Sequence, residues 1–159
     1  MIDETIEKLK LRGYAKKGAY TLKSKHPSIE FTSGLRDRSS QARAMASNVV
    51  KNRKWVQTTY RDTPIRERLQ GWVDTHPEAK TQTDLQIGLL IVLQLFTDDE
   101  LLVLSRHFSG EAFDVQPITQ DAEQIKSDIL ALEGLDKFLD HEGGLVRWHA
   151  QFKREQEQT

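Results

Sequence analysis

Over three short stretches of this chain, apolar and polar residues alternate; over most of the rest they recur at helical spacing. From Ala112 to Val115, a period of two puts Phe113 and Val115 on one face and Asp114 on the other. Ser28 to Thr32 alternates in the same way, which predicts a strand with Ile29 and Phe31 on its buried side. Leu145 to Phe152 is the third stretch. Read as a strand, it sends Val146, Trp148, Ala150 and Phe152 to the core and Arg147, His149 and Gln151 to the opposite face. Read as a helix, it still aligns Leu145, Trp148 and Phe152, so the period alone does not decide. Gly143-Gly144 reads as a turn and favours the strand.

The helical stretches vary in clarity. Ile2, Ile6 and Leu9, with acids early and bases late, predict a short amphipathic helix from Ile2 to Leu11, ended by Gly13. Tyr14 to Lys25 is basic and weakly patterned, and reads as a loop or frayed strand. Ser39 to Arg53 predicts a helix with Ala42, Met45, Ala46, Val49 and Val50 along one side. Thr63-Pro64 opens another, with Ile65, Leu69, Trp72 and Val73 inward and His76-Pro77 as its stop. Asp84 is expected to cap a helix that is apolar almost all round from Leu85 to Phe96, and therefore buried and central. That run is shorter than the roughly 20 apolar residues of a bilayer span, so no membrane span is expected.

Thr97 to Glu100 has capping-box spacing and introduces Leu101 to Leu104. After Pro117, Thr119 opens a helix with Ala122, Ile125, Ile129, Leu130 and Leu132 inward, interrupted at Gly134. Leu135, Phe138 and Leu139 continue an apolar side, and Lys153 to Thr159 is a polar tail expected to fray. Together these elements predict an α+β fold: a small antiparallel sheet of Ile29–Thr32, Ala112–Val115 and Leu145–Phe152, with helices around it. Residues 63–104 form a helical elaboration in this reading.

Length and charge narrow the possibilities. A chain of 159 residues suits a single domain, 1–159, with a real core. Its formal net charge is −1, an ordinary balance with no global bias toward nucleic acid or membrane. Arg38, Arg43, Lys51, Arg53 and Lys54 make one basic helix side near Trp55 and Tyr60. In a near-neutral chain such a side is expected to be solvated, so no nucleic-acid partner is predicted. There are no cysteines, so any metal must be held by His, Asp or Glu. Met1 to Thr5 is acidic and lacks the apolar core of a signal peptide, which predicts synthesis in the cytoplasm.

The chemistry concentrates around Asp114. His107 lies seven positions before it, and Gly110 between them can make a turn that brings imidazole and carboxylate together. Both groups are ordinary zinc ligands, bonding at roughly 2.0–2.2 Å. The pattern Ser105-x-His107-x-x-Gly110-x-Ala112-x-Asp114 resembles the zinc motif of the D-Ala-D-Ala peptidases. That group includes D,D-carboxypeptidases, D,D-dipeptidases and phage endolysins, and is related to the lysostaphin and hedgehog folds. Ser33-Gly34-Leu35-Arg36, with Gln41 beyond it, resembles the group's Ser-Gly-Tyr-Arg strand end and following Gln-containing helix, although Leu35 replaces the tyrosine.

The resemblance implies a zinc ion held by His107, Asp114 and His149, the last on a late strand and following an aromatic, Trp148. It implies that Arg36 binds a substrate carboxylate or stabilises an oxyanion, and that Ser105 lies against substrate. The implied activity is hydrolysis of peptide bonds in peptidoglycan stem peptides or cross-links. It implies action in the periplasm or cell wall after export or lysis, by a monomer that meets a secretion or immunity partner. One departure concerns the general base. The group places a Glu three residues before the last ligand or a His two before it, where this chain has Val146 and Arg147. Glu142 and His141 are the nearest candidates. Two other readings remain open: a catalytically inactive zinc-binding interaction domain of the same fold, and a helical regulatory protein without metal.

Overall fold

A computed structural model describes residues 2–155 of the chain. In order, its elements begin α1 (Glu4–Glu7), α2 (Gly13–Lys25), β1 (Phe31–Ser33), α3 (Arg38–Val49), α4 (Trp55–Thr59) and α5 (Pro64–Thr75). Next come α6 (Gln82–Leu93), α7 (Asp98–Leu104), a 3-10 turn at Arg106–Phe108 and β2 (Ala112–Val115). The last are α8 (Ala122–Leu130), β3 (Leu135–Glu142) and β4 (Leu145–Phe152). The fold class is α+β, with a four-stranded sheet in the order β1-β2-β4-β3. By internal packing the chain divides into two compact units.

The first unit comprises residues 2–35, 109–141 and 146–155 and carries nearly all of the sheet. β2 pairs antiparallel with both β1 and β4. Alternation then does what the pattern predicts: Phe113, Val115, Trp148, Ala150 and Phe152 are buried together on one face. Phe113 stands edge-on to Phe31, with ring centres 5.1 Å apart, and lies 5.3 Å from Phe152. Ala15, Ala19 and Leu22 of α2 and Ile125 and Ile129 of α8 complete this core.

α2 corrects the sequence reading of Tyr14–Lys25. Its buried side is Ala15, Gly18, Ala19 and Leu22, residues too small to give a strong periodic signal. Small size is what lets the helix lie close to the sheet: a Cβ built on Gly18 would come within 3.1 Å of the Phe152 ring. Gly13 opens this helix instead of ending the one before it, which stops earlier as Lys10 turns left-handed at φ 53°. Three further corrections fall in this unit. Ile29 is buried as expected but lies before the strand, its N–H bonded to His26 O. Leu130 and Val146 are exposed. Leu135–Glu142 is a strand, and it follows a glycine whose φ of 76° only glycine adopts readily. Of the expected C-terminal tail, 153–155 carry no regular structure and 156–159 lie outside the described residues.

The second unit, residues 36–108 and 142–145, is helical. Its core is Met45, Ala46 and Val49 of α3, Leu69 and Val73 of α5, and Leu85, Leu89 and Leu93 of α6. Thr63 caps α5 and Thr97 with Glu100 forms the expected capping box on α7. α6 is capped by Thr81, with the proposed cap Asp84 donating its backbone N–H to Thr81 Oγ1. α6 is not buried all round, because Ile87 and Ile91 are more than half exposed, as is Leu95 just past its end; Val50, which caps the end of α3, is nearly half exposed. Two of the basic residues of this unit hold helix ends. Arg53 donates to the carbonyls of Val73, His76 and Ala79, and Arg38 to those of Leu93 and Phe96. Among the described residues, no helix is long and apolar enough to cross a membrane.

Candidate metal centre

The site is built from the chain that runs out of α7. Ser105 ends that helix, and its Oγ accepts the N–H of His107 at 3.2 Å, tightening the 3-10 turn. The carbonyl of His107 accepts the backbone N–H of Arg36 at 2.8 Å, so the imidazole starts from a main chain fixed on both sides. Its side chain is buried. Gly110 follows at φ 80°, and a Cβ there would sit 2.9 Å from the Lys10 carbonyl. The expected glycine turn is therefore present, for two reasons: the left-handed backbone and the close approach of another strand of chain.

β2 then presents Asp114 on the face away from the aromatic core. The register sets Asp114 opposite His149 on β4 and opposite Ser33 on β1. Cross-strand partners share a face, and here the pairing brings His149 Nδ1 to 2.9 Å from Asp114 Oδ1. One ligand atom from each of His107, Asp114 and His149 lies within 4.8 Å of the others, and this largely buried group can hold a metal ion. Two imidazoles and a carboxylate form a donor set that zinc accepts.

The other expected site residues stand in three places. Arg36 donates from Nη1 to Gln41 Oε1 at 3.1 Å, and the wholly buried Gln41 donates in turn to the Tyr60 hydroxyl at 3.0 Å. Tyr60 is itself braced edge-on against Trp55. The guanidinium is thus oriented by a buried amide, which limits the directions in which its remaining N–H groups can point. Glu142 ends β3; its carbonyl accepts the indole N–H of Trp55, and that of Gly143 accepts from Asn52. His141 is exposed and bonds through Nδ1 to Asp140 Oδ1 at 3.0 Å. That hydrogen bond, with a second from Lys126, holds the Asp140 carboxyl below the usual range. Neither Glu142 nor His141 is a member of the three-residue cluster.

Sequence reasoning passed over two residues beside His149. Gln151 Oε1 lies 3.2 Å from His149 Nε2, and Gln151 Nε2 lies 2.9 Å from Asp136 Oδ2. Alternation along β4 places Gln151 on the face of His149 but assigns it no role. Nothing in the sequence points to Asp136, because Leu135–Glu142 carries no clean alternation. No protein-family model, characterised protein or solved structure matches this chain.

Proposed function

We propose that the chain is a zinc-dependent peptidase acting on peptidoglycan stem peptides or cross-links, of the D-Ala-D-Ala carboxypeptidase or endopeptidase type. The observation that supports it most is the convergence of His107, Asp114 and His149 to within 4.8 Å, reached through the turn and strand register that the motif requires. In this reading those three side chains hold the ion. When bound, zinc supplies Lewis-acid polarisation of a carbonyl and acidification of water.

Arg36 contributes a fixed cationic fork for a substrate carboxylate or for charge that develops on the carbonyl oxygen. Gln41 sets the angle of that fork. Ser105 accepts the His107 N–H, which leaves its own hydroxyl hydrogen to donate to substrate. Glu142 is the first candidate for general base and His141 the second. Such an enzyme acts in the periplasm or cell wall, reached by export or lysis, as a monomer with a secretion or immunity partner.

Zinc-loaded protein is expected to release shortened peptides from purified muropeptides. In the same assay Arg36→Ala should lower kcat/KM by about 2–4 kcal/mol, the range for removing a preorganised charge stabiliser. Zinc content and melting temperature should stay at the wild-type level. A collapse in melting temperature with specific activity intact would make Arg36 a structural residue instead. Glu142→Gln, with full zinc occupancy verified, should slow turnover by about 10²–10⁴-fold if it is the base. His141→Ala is its parallel test, and wild-type rates in both variants would remove both from the mechanism.

A second reading keeps the metal and drops the hydrolysis. It is favoured by Val146 and Arg147 standing where the group's bases stand. Stoichiometric zinc with no cleavage of any muropeptide would select it.

A further inference from the structure

His149 is the ligand whose surroundings are most fully defined, and they extend beyond the cluster. Its two ring nitrogens face different partners: Nδ1 faces Asp114 Oδ1 at 2.9 Å, and Nε2 faces Gln151 Oε1 at 3.2 Å. The far side of the same amide is committed, because Gln151 Nε2 donates to Asp136 Oδ2 at 2.9 Å. A carboxylate only accepts hydrogen bonds, so the amide nitrogen must face Asp136 and the amide oxygen must face His149. An amide oxygen also only accepts, so the hydrogen between Gln151 and His149 sits on the imidazole Nε2.

From this chain of contacts we propose that Gln151, oriented by Asp136, is a positioning residue that makes Nδ1 the metal-binding nitrogen of His149. This rests on the metal-site reading above. Asp136 fixes the direction of the amide, the amide holds a hydrogen on Nε2, and that hydrogen bars Nε2 from ligation. That leaves Nδ1 to ligate: it points at Asp114, whose carboxylate accepts its hydrogen when no metal is bound, and a metal ion takes the place of that hydrogen. The same hydrogen bond stops the ring from flipping about its χ2 axis, which would exchange the two nitrogens. Strand geometry brings the three residues together. Residues 149 and 151 share a face of β4 by the period of two, and Asp136 reaches them from the neighbouring strand. Metal-binding histidines commonly donate their second N–H to such a partner, and its loss typically costs 10–100-fold in metal affinity.

The test has two arms. The first measures zinc affinity by competition with a chelator for the wild type, for Gln151→Leu and for the double variant Gln151→Glu/Asp136→Asn. The leucine variant keeps the bulk and removes the acceptor, and should raise the zinc Kd by about 10–100-fold. The double variant keeps an acceptor for the Nε2 hydrogen and, through the new amide at position 136, a donor that holds it, and should stay within roughly threefold of wild type, since a charged acceptor is at least as strong. Wild-type affinity in Gln151→Leu, or an equal loss in both variants, would overturn the proposal.

The second arm reads the hydrogen directly, by nitrogen-15 NMR of His149 in metal-free and zinc-loaded wild-type protein. A hydrogen on Nε2 is expected in both states. An Nε2 that lacks one in either state would overturn the proposal even if Gln151→Leu fails to fold. If wild-type protein binds no zinc, the reading as a zinc peptidase falls. The metal-free spectrum still decides whether Gln151 holds the ring.

Discussion

Alanine at His149 is expected to take the protein from one bound zinc per chain to none. His149 supplies one of only three protein donors in the cluster, and a zinc site with two remaining donors no longer encloses the ion. Because the folded chain assembles donors that the unfolded chain scatters, binding energy is also folding energy. At free zinc about 100-fold above the dissociation constant, that linkage stabilises the fold by about 2.7 kcal/mol. For a chain of this size each kcal/mol is worth about 2–4 °C, so zinc-saturated wild type should melt about 5–11 °C above its own chelator-treated form. In His149→Ala that difference should vanish. Elemental analysis of the purified protein gives the stoichiometry and identifies the metal, and melting with and without chelator gives the linkage. His107→Ala and Asp114→Ala should behave in the same way. Undiminished zinc in His149→Ala would mean that the third donor is another residue.

How far the sequence disclosed this arrangement depends on the size and polarity of the residues involved. β2 was legible because Phe113 and Val115 alternate with Asp114, and the bounds of β4 because Gly143-Gly144 marks a turn before a stretch whose period alone fits strand or helix, although Val146 is exposed. α7 was legible through the paired hydrogen bonds of Thr97 and Glu100. α2 was not, since its inward side is alanine and glycine and its outward side is lysine-rich, so composition masks the period. α6 misled in the opposite direction. Its sequence is apolar on every side, yet Ile87 and Ile91 are exposed, and no single-chain pattern separates such a face from a buried one. β3 opens after a left-handed glycine and is only partly buried along its length, leaving no clean alternation to read.

The same division holds at the site. The three donors were found through a resemblance carried by fixed spacings, and Gly110 through the turn it must make. The residues that orient the site are held by contacts between segments remote in sequence. Tyr60 meets Gln41 across 19 positions and Asp136 meets Gln151 across 15. Such pairings depend on the register of strands and the stacking of helices, and a linear pattern does not contain them.

Phe113→Ala should be the most damaging substitution in the sheet, lowering stability by about 3–5 kcal/mol, the cost of removing a buried phenyl ring. Phe113 is fully buried, and its ring meets Phe31 edge-on at 5.1 Å and Phe152 at 5.3 Å. It therefore joins strands that flank β2 on both sides, and neighbouring side chains from three strands cannot collapse into the space without shifting backbone. Trimming only to Phe113→Leu keeps most of the volume and should cost less than about half as much. Thermal unfolding in chelator removes the metal's contribution, and the alanine variant should then melt about 6–20 °C below wild type. The consequence for the site follows from position. Asp114 is the next residue, held opposite His149 by the same ladder, so loosening β2 should weaken the proposed metal binding even though Phe113 lies on the other face of the sheet. A loss below about 1 kcal/mol would place Phe113 outside a packed core.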